Sequence, residues 1–300
     1  GTSRRQGRLP ALSLVLASRT CIFAVIARLV LYVSQSGVVY VLLGLYAISY
    51  LDGGERTGLR RIYRVRYGCS WPYRVYARLL SHCGIPPRVI SDDGTTLSSD
   101  RQYVLGLHPH GIFPLGLQFN LGTSFTGVNR VFPTVDLLRV GVASFCFYLP
   151  ILREVFLAFG VVDASRPILS KFLKAGHHVA VFPGGAREAA HTEPGGASLV
   201  LACRRGFVKL ALEHGADLVP VYTFGDNDLG LRAASMDVFG LGALLLRVTG
   251  IWMPLFFNGY AVLPCARRCA CTTVVGAPLR VERRGAGGYT PADVDREHAR

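Results

Sequence analysis

Lysine is nearly missing from this 300-residue chain: Lys171, Lys174 and Lys209 stand against thirty arginines. Charged residues of every kind reach only 17%, half of the chain is hydrophobic, and the mean hydropathy is +0.34. That balance is apolar for a soluble enzyme and points to membrane contact. The eight cysteines form no CxxC pair, and several lie in apolar runs, which disfavours a disulfide scaffold and fits a reduced, cytosol-facing chain. Zinc-finger spacing, an RNP-type aromatic motif and a basic region followed by heptads are all missing, so nucleic acid is not an expected partner despite the net charge of +14. The GxSxG elbow, HExxH, the Walker loop and a complete GxGxxG in strand context are missing too. Serine hydrolases, zincins, P-loop enzymes and dinucleotide oxidoreductases are thereby disfavoured. The remaining partners for so basic a chain are anionic membrane and phosphorylated substrates.

What is present begins with hydrophobic sequence. Cys21–Val33 is apolar apart from Arg28, and Gly37–Leu51 carries no charge; the polar turn Ser34-Gln35-Ser36 separates them. Neither run reaches the roughly 20 apolar residues of a comfortable span. A membrane-embedded helical hairpin over residues 1–51 therefore fits better than two full spans, and the second run is apolar all round, unlike a core helix. From Arg56 to Arg78 there are seven arginines and no acidic residue, which by the positive-inside rule places the following chain in the cytosol and can hold it against anionic headgroups. Residues 52–100 thus read as a basic juxtamembrane segment followed by a turn-rich linker (84–100). The chain begins at Gly1 and ends in a charged stretch that resembles a helix still running, so we expect a fragment.

The remainder, 101–300, is long enough for one catalytic domain. Short apolar runs at Val104–Leu107, His178–Phe182, Leu218–Tyr222 and Thr272–Val275 predict strands. Helical patterns fall around 135–158, 166–175, 197–214 and 239–250. Their alternation predicts an α/β domain.

Three stretches carry possible chemistry. The run Val104–Leu107 stops at His108-Pro109-His110-Gly111, two imidazoles at the carboxyl end of a buried strand, where α/β folds usually place their sites. Histidine suits proton transfer near neutral pH. On this motif alone, a general base and a pair of structural or metal-binding histidines remain equally open. Phe182-Pro183-Gly184-Gly185-Ala186-Arg187-Glu188 ends the next strand candidate. Its glycines permit φ > 0 and expose amides to an anion or developing oxyanion, and Glu188 is close enough to orient a histidine. The plain alternative is a tight turn with a carboxylate at a helix start. The third stretch runs from Arg204 to Gly225. Its Arg205 and Lys209, one helical turn apart, can hold phosphates, unless Lys209 simply pairs with Glu213. Cys265, Cys269 and Cys271 can bind metal or carry acyl chains, but read more simply as unpaired small apolar residues.

In this order the blocks resemble the diacylglycerol acyltransferase type 2 family, which includes monoacylglycerol and wax-ester acyltransferases. The resemblance rests on HPHG at 108–111, on Gly184-Gly185-Ala186-Arg187-Glu188 for the family's GGAxE, and on RxGFxKxAxxxGxxLVPxxxFG, matched at every fixed position from Arg204 to Gly225. Pro254–Gly259 and Thr272–Pro278 look like its last two blocks. Ser70-Trp71-Pro72 departs from a common Tyr-Phe-Pro, Asn258 and Tyr260 from histidine and arginine, and Ala277 from glutamate. The wider glycerolipid acyltransferases carry an aspartate five positions after the histidine. Phe113 and Leu115 occupy those places, so another group must orient the imidazole.

The resemblance implies a mixed sheet flanked by helices and an endoplasmic-reticulum membrane enzyme, its catalytic domain cytosolic, with lipid droplets a second location. It moves a fatty acyl group from acyl-CoA, a co-substrate rather than a cofactor, to diacylglycerol or another lipid alcohol. No metal is implied, and oligomerisation is left open. Within that reading His110 is the base, His108 its support, and Glu188 the orienting carboxylate. Gly111, Gly184 and Gly185 supply oxyanion amides, while Arg187, Arg204, Arg205 and Lys209 are candidates for the coenzyme A phosphates. A non-catalytic membrane relative and a metal-dependent lipid hydrolase using His108 and His110 are the competing expectations; the hydrolase needs more ligands than the sequence offers.

Overall fold

The structure is a computed structural model that describes residues 37–58, 78, 88–111, 114–122, 126–150, 152–196, 198–229, 240–249 and 270–300. The chain divides into two compact units, 1–53 and 54–300. In the first, α1 (Gly37–Ile48) is apolar on every side, and Tyr40, Val41, Leu42, Leu43, Leu45 and Ile48 are all exposed. Its 12 residues reach about 18 Å, short of the roughly 30 Å hydrocarbon layer of a bilayer. Among the described residues no helix is long and apolar enough to cross a membrane. The first arm of the expected hairpin lies outside the described residues.

The second unit opens with α2 (Gly54–Thr57), which docks onto the domain through charge and shape. Glu55 reaches the buried guanidinium of Arg153 at 3.6 Å, and a Cβ on Gly58, whose φ is +66°, would press into the Phe172 ring. The chain then contributes β1 (Arg88–Ser91), β2 (Tyr103–His108), α3 (Leu115–Gly122), α4 (Val128–Val131), β3 (Leu138–Val142), α5 (Leu152–Ala158) and β4 (Val162–Asp163). It continues through α6 (Arg166–Lys174), β5 (His178–Val181), α7 (Gly185–Ala190), α8 (Gly206–His214), β6 (Asp217–Phe224), α9 (Leu241–Thr249), β7 (Thr272–Val275) and α10 (Pro291–Ala299).

Seven strands form one mixed sheet in the order β1-β7-β6-β2-β5-β3-β4. Strands β6, β2, β5, β3 and β4 run parallel; β7 pairs antiparallel with β6 and parallel with β1. Strand β2 lies in the middle and is buried along its whole length, as a parallel strand covered on both faces must be. Its side chains alternate between two cores. Leu105 and Leu107, with Val219 and Val221, pack under Leu117 and Leu121 of α3 and Val128 and Val131 of α4. Val104, Val179 and Leu218 pack on the other side against Leu169, Phe172 and Leu173 of α6 and Val208, Ala211 and Leu212 of α8.

Three expectations are corrected. The stretch 135–158 is not one helix: it holds a 3-10 turn at Val135–Leu137, strand β3, a second 3-10 turn at Ser144–Tyr148, and α5. A short apolar run has no period that separates a buried strand from a helix, and here parallel pairing of Leu138–Val140 with β5 decides for strand. Among the described residues of 197–214 only Gly206–His214 are helical. Arg88–Ser91, inside the turn-rich stretch expected to be a linker, is an edge strand of the sheet.

The amino end of the sheet is fastened by buried polar groups. Arg101 donates from Nε to Asp217 Oδ2 at 2.9 Å, and Asp217 also accepts the Val281 amide. Gln102 donates to the carbonyls of Leu173 and His177. His178 accepts the Tyr103 amide on Nδ1 at 3.3 Å, so its proton sits on Nε2, 2.9 Å from Thr134 Oγ1. The ring is wedged against Tyr103 and Phe132, with centroids 5.3 and 5.0 Å away. Burial first, and the neighbouring His177 second, push its imidazole down to about 4, with Asp136 opposing. A neutral buried histidine costs nothing above its ordinary value near 6.5. Below it the unfolded chain takes up a proton that the folded chain refuses, so stability falls between pH 6.5 and about 4. His178→Gln should remove roughly 3 kcal/mol of that acid sensitivity, read as flattened thermal unfolding temperatures across this range relative to wild type.

Candidate functional site

Neighbouring parallel strands end at the same edge of a sheet, and this places two of the three motif blocks side by side. β2 delivers His108-Pro109-His110-Gly111, and β5 delivers Phe182–Glu188. Helix α8 runs back against the strands, so Arg204, just before its first turn, lies at the same edge.

The GGARE segment begins α7, with Gly185 in the left-handed region at φ +56° and Glu188 one turn in and buried. A Cβ on Gly184 would run into the Glu188 carboxylate, so only glycine lets that side chain fold back over the turn. Oε1 then accepts the main-chain amide of His110 at 2.6 Å, and Oε2 accepts that of Val200 at 3.3 Å. Burial opposes its ionisation most, yet His108 and the two amides together hold its carboxyl below the usual range. The carboxylate is therefore ionised at neutral pH and acts as a structural node.

His108, the last residue of β2, is buried with its ring over Gly106. Its Nδ1 has no hydrogen-bond partner and stands 3.8 Å from Glu188 Oε1, too far for a hydrogen bond. His110 is half-buried, 5.0 Å from the Phe182 ring between centroids. Its Nδ1 lies 2.8 Å from the Gly111 carbonyl, which can only accept; Nδ1 therefore carries the proton and Nε2 a lone pair. Burial pulls its imidazole below its ordinary value, against the Gly111 carbonyl and Glu188. Glu188 thus grips the main chain of His110 rather than its ring, and the Gly111 carbonyl orients the imidazole. Gly111, at φ +61°, makes that close return possible.

The basic residues separate. Arg204 donates to the Gly184 carbonyl at 3.2 Å and so braces the glycine turn. Arg187 is exposed. Arg205 pairs with Asp295 at 2.9 Å and meets His298 at 3.2 Å, holding α10 against α8. Lys209, exposed, lines a cleft of about 250 Å³ with Arg205, Tyr289, Pro291, Val294 and Asp295. Glu213 pairs with Arg166 instead of Lys209. Tyr222, which motif reading passed over, is in register with His108 on β6. Burial, then Glu188 and Asp228, push its phenol up. Its place within the Arg204–Gly225 block was visible; its register with β2 was not. Asn258 and Tyr260 lie outside the described residues, as do Ser70, Trp71 and Pro72.

Comparison with known proteins places the chain in a family. The family described as Diacylglycerol acyltransferase matches residues 30–300. The chain belongs to this family. It is 38% identical over 207 residues to human 2-acylglycerol O-acyltransferase 3, covering 63% of this chain and 58% of that protein. It is 35% identical over 225 residues to Xenopus tropicalis Diacylglycerol O-acyltransferase 2, covering 68% and 58%. Human Acyl-CoA wax alcohol acyltransferase 1 is 33% identical over 194 residues, covering 61% and 58%. The chain thus spans a little under three fifths of the relatives it matches. The solved 1-acyl-sn-glycerophosphate acyltransferase PlsC of Thermotoga maritima aligns with 76% of this chain and 73% of its own, at a TM-score of 0.40 and 12% identity, a likeness too weak to carry an argument.

The geometry makes Gly184 a determinant of the site. Gly184→Ala should displace the Glu188 carboxylate, costing about 1–3 kcal/mol in thermal unfolding. It should also release the His110 amide, seen as faster hydrogen exchange at that position.

Proposed function

We propose that this diacylglycerol acyltransferase family member transfers a fatty acyl group from acyl-CoA to a lipid hydroxyl, with diacylglycerol as the acceptor and triacylglycerol as the product. The observation that carries the mechanism is the His110 Nδ1 contact with the Gly111 carbonyl, which leaves Nε2 with a lone pair. His110 Nε2 takes the acceptor's hydroxyl proton as its oxygen attacks the thioester carbonyl. Amides of Gly111 or of the Gly184-Gly185 turn stabilise the oxyanion. On collapse the carbon–sulfur bond breaks, and the departing thiolate takes the proton back from His110. The ionised Glu188 favours the transient imidazolium and keeps the His110 main chain in place.

Relatives named for diacylglycerol, 2-acylglycerol and wax alcohol acyltransfer share the matched region, so the acceptor follows from product analysis and not from the motifs. A hairpin over 1–51 would tether the catalytic domain to the cytosolic face of the endoplasmic reticulum, where acyl-CoA arrives from water and the lipid alcohol from the bilayer. The exposed apolar surface of α1 supports that reading. Acyl-CoA is the co-substrate, and no cofactor enters the scheme. Of the cations, Arg187 and Lys209 are exposed for its phosphates, while Arg204 and Arg205 hold internal partners.

Microsomes holding the chain, given labelled acyl-CoA with diacylglycerol, monoacylglycerol or long-chain alcohol, should yield labelled triacylglycerol most rapidly. His110→Ala should lower that rate by about 10²–10⁴-fold, and Glu188→Gln should also lower it while the protein stays inserted. Because burial lowers the His110 imidazole, the acid limb of the rate should lie below the ordinary histidine value of 6.5. Full activity in His110→Ala would remove His110 as the base.

A further inference from the structure

The carboxylate of Asp226 lies beyond every motif that the function absorbs. It follows Gly225 at the end of β6 and is 5% exposed. Oδ1 accepts the Gly116 amide at 2.9 Å, the second residue of α3, while Oδ2 is buried with no hydrogen-bond partner. Gly116 is wedged so tightly that a Cβ there would come within 2.9 Å of Cys271 and 3.0 Å of Asp226 Oδ1. The body of α3 is tied down separately, Asn120 donating to the Cys271 carbonyl at 3.2 Å and to Thr273 Oγ1 at 2.8 Å. In sequence the HPHG block precedes this helix closely, Gly111 standing four positions before Leu115.

We propose that Asp226 is a positioning residue of the acyl-transfer site, acting as a neutral acid that caps α3 from β6 and thereby sets the stem of the HPHG turn. The proposal rests on the acyl-transfer reading above. An ionised carboxylate with one oxygen buried without a partner would be severely penalised, whereas a neutral acid keeps the Gly116 bond and bears only the smaller cost of an unpaired neutral polar group. Burial accordingly lifts the group to about 7, against the amides of Gly116 and Leu117. Among the described residues, α3 carries no ionisable side chain, and the Cys271 thiol is the titratable group packed with Asp226 against Gly116. On Asp226's own loop, Asp228 is turned to the Gly195 amide.

The test compares the full chain in mixed micelles with its D226A and D226N variants, each checked for thermal unfolding, with H110A as a parallel control. D226A should lower kcat by about 100-fold with KM for both substrates unchanged. D226N, neutral and of the same shape, should restore it. Between about pH 6 and about pH 8 the ratio of wild-type to D226N kcat should fall, because only the wild type must keep an acid protonated. Unimpaired kcat in D226A, or a D226N as damaged as D226A, would overturn the proposal. If D226A does not fold, the pH dependence of the wild-type to D226N ratio decides alone, and a flat ratio rejects it. Absence of acyl transfer in the wild type would instead count against the functional reading itself.

Discussion

The site depends on one buried carboxylate. A charge sealed inside a protein must be hydrogen-bonded or it will be protonated or expelled, and Glu188 satisfies this by drawing on three segments at once. The His110 amide comes from the end of β2, the Val200 amide from the loop before α8, and the space for the side chain from Gly184 at the end of β5. None of these segments can shift without leaving part of the charge unpaired. The paired histidines and the glycine turn therefore form one unit, and Arg204 on the Gly184 carbonyl closes it from a fourth side.

The sheet provides the frame. Because β2 and β5 are adjacent and parallel, both motif loops leave at the same edge, and β2's full burial makes its end a rigid platform for His108. The opposite edge is built for stability instead: Arg101 with Asp217, Gln102 with two carbonyls, and His178 among aromatic rings. Two histidines on one sheet thus meet opposite fates. His178 is locked neutral between a backbone donor and a threonine, while His110 keeps a lone pair available at the edge where loops converge.

The basic residues divide by the same logic. A cation near a buried carbonyl or an acidic helix is taken up by the fold, as Arg204 and Arg205 are. Arg187 and Lys209 lie on exposed faces instead. A run of positive charge in a sequence is therefore a poor guide to which members recognise a ligand, since spacing on a helix does not reveal what packs opposite.

Much was legible in the residues alone. Apolar runs bounded by glycine and proline located β2, β5, β6 and β7, and the order of HPHG, GGARE and the Arg204–Gly225 block identified the family, because those patterns arise from local backbone demands that travel with the sequence. The strand inside 135–158 and the edge strand Arg88–Ser91 were not legible, since pairing with distant strands outweighed local pattern. Nor was the way the site is held. The sequence by itself determined that two histidines and a glutamate would end neighbouring blocks. Only the tertiary structure decided that Glu188 grips the His110 backbone, that the Gly111 carbonyl sets the tautomer, and that Asp226 anchors the following helix. The first and last of those contacts join residues 78 and 110 positions apart, and only the folded sheet brings them within hydrogen-bond reach.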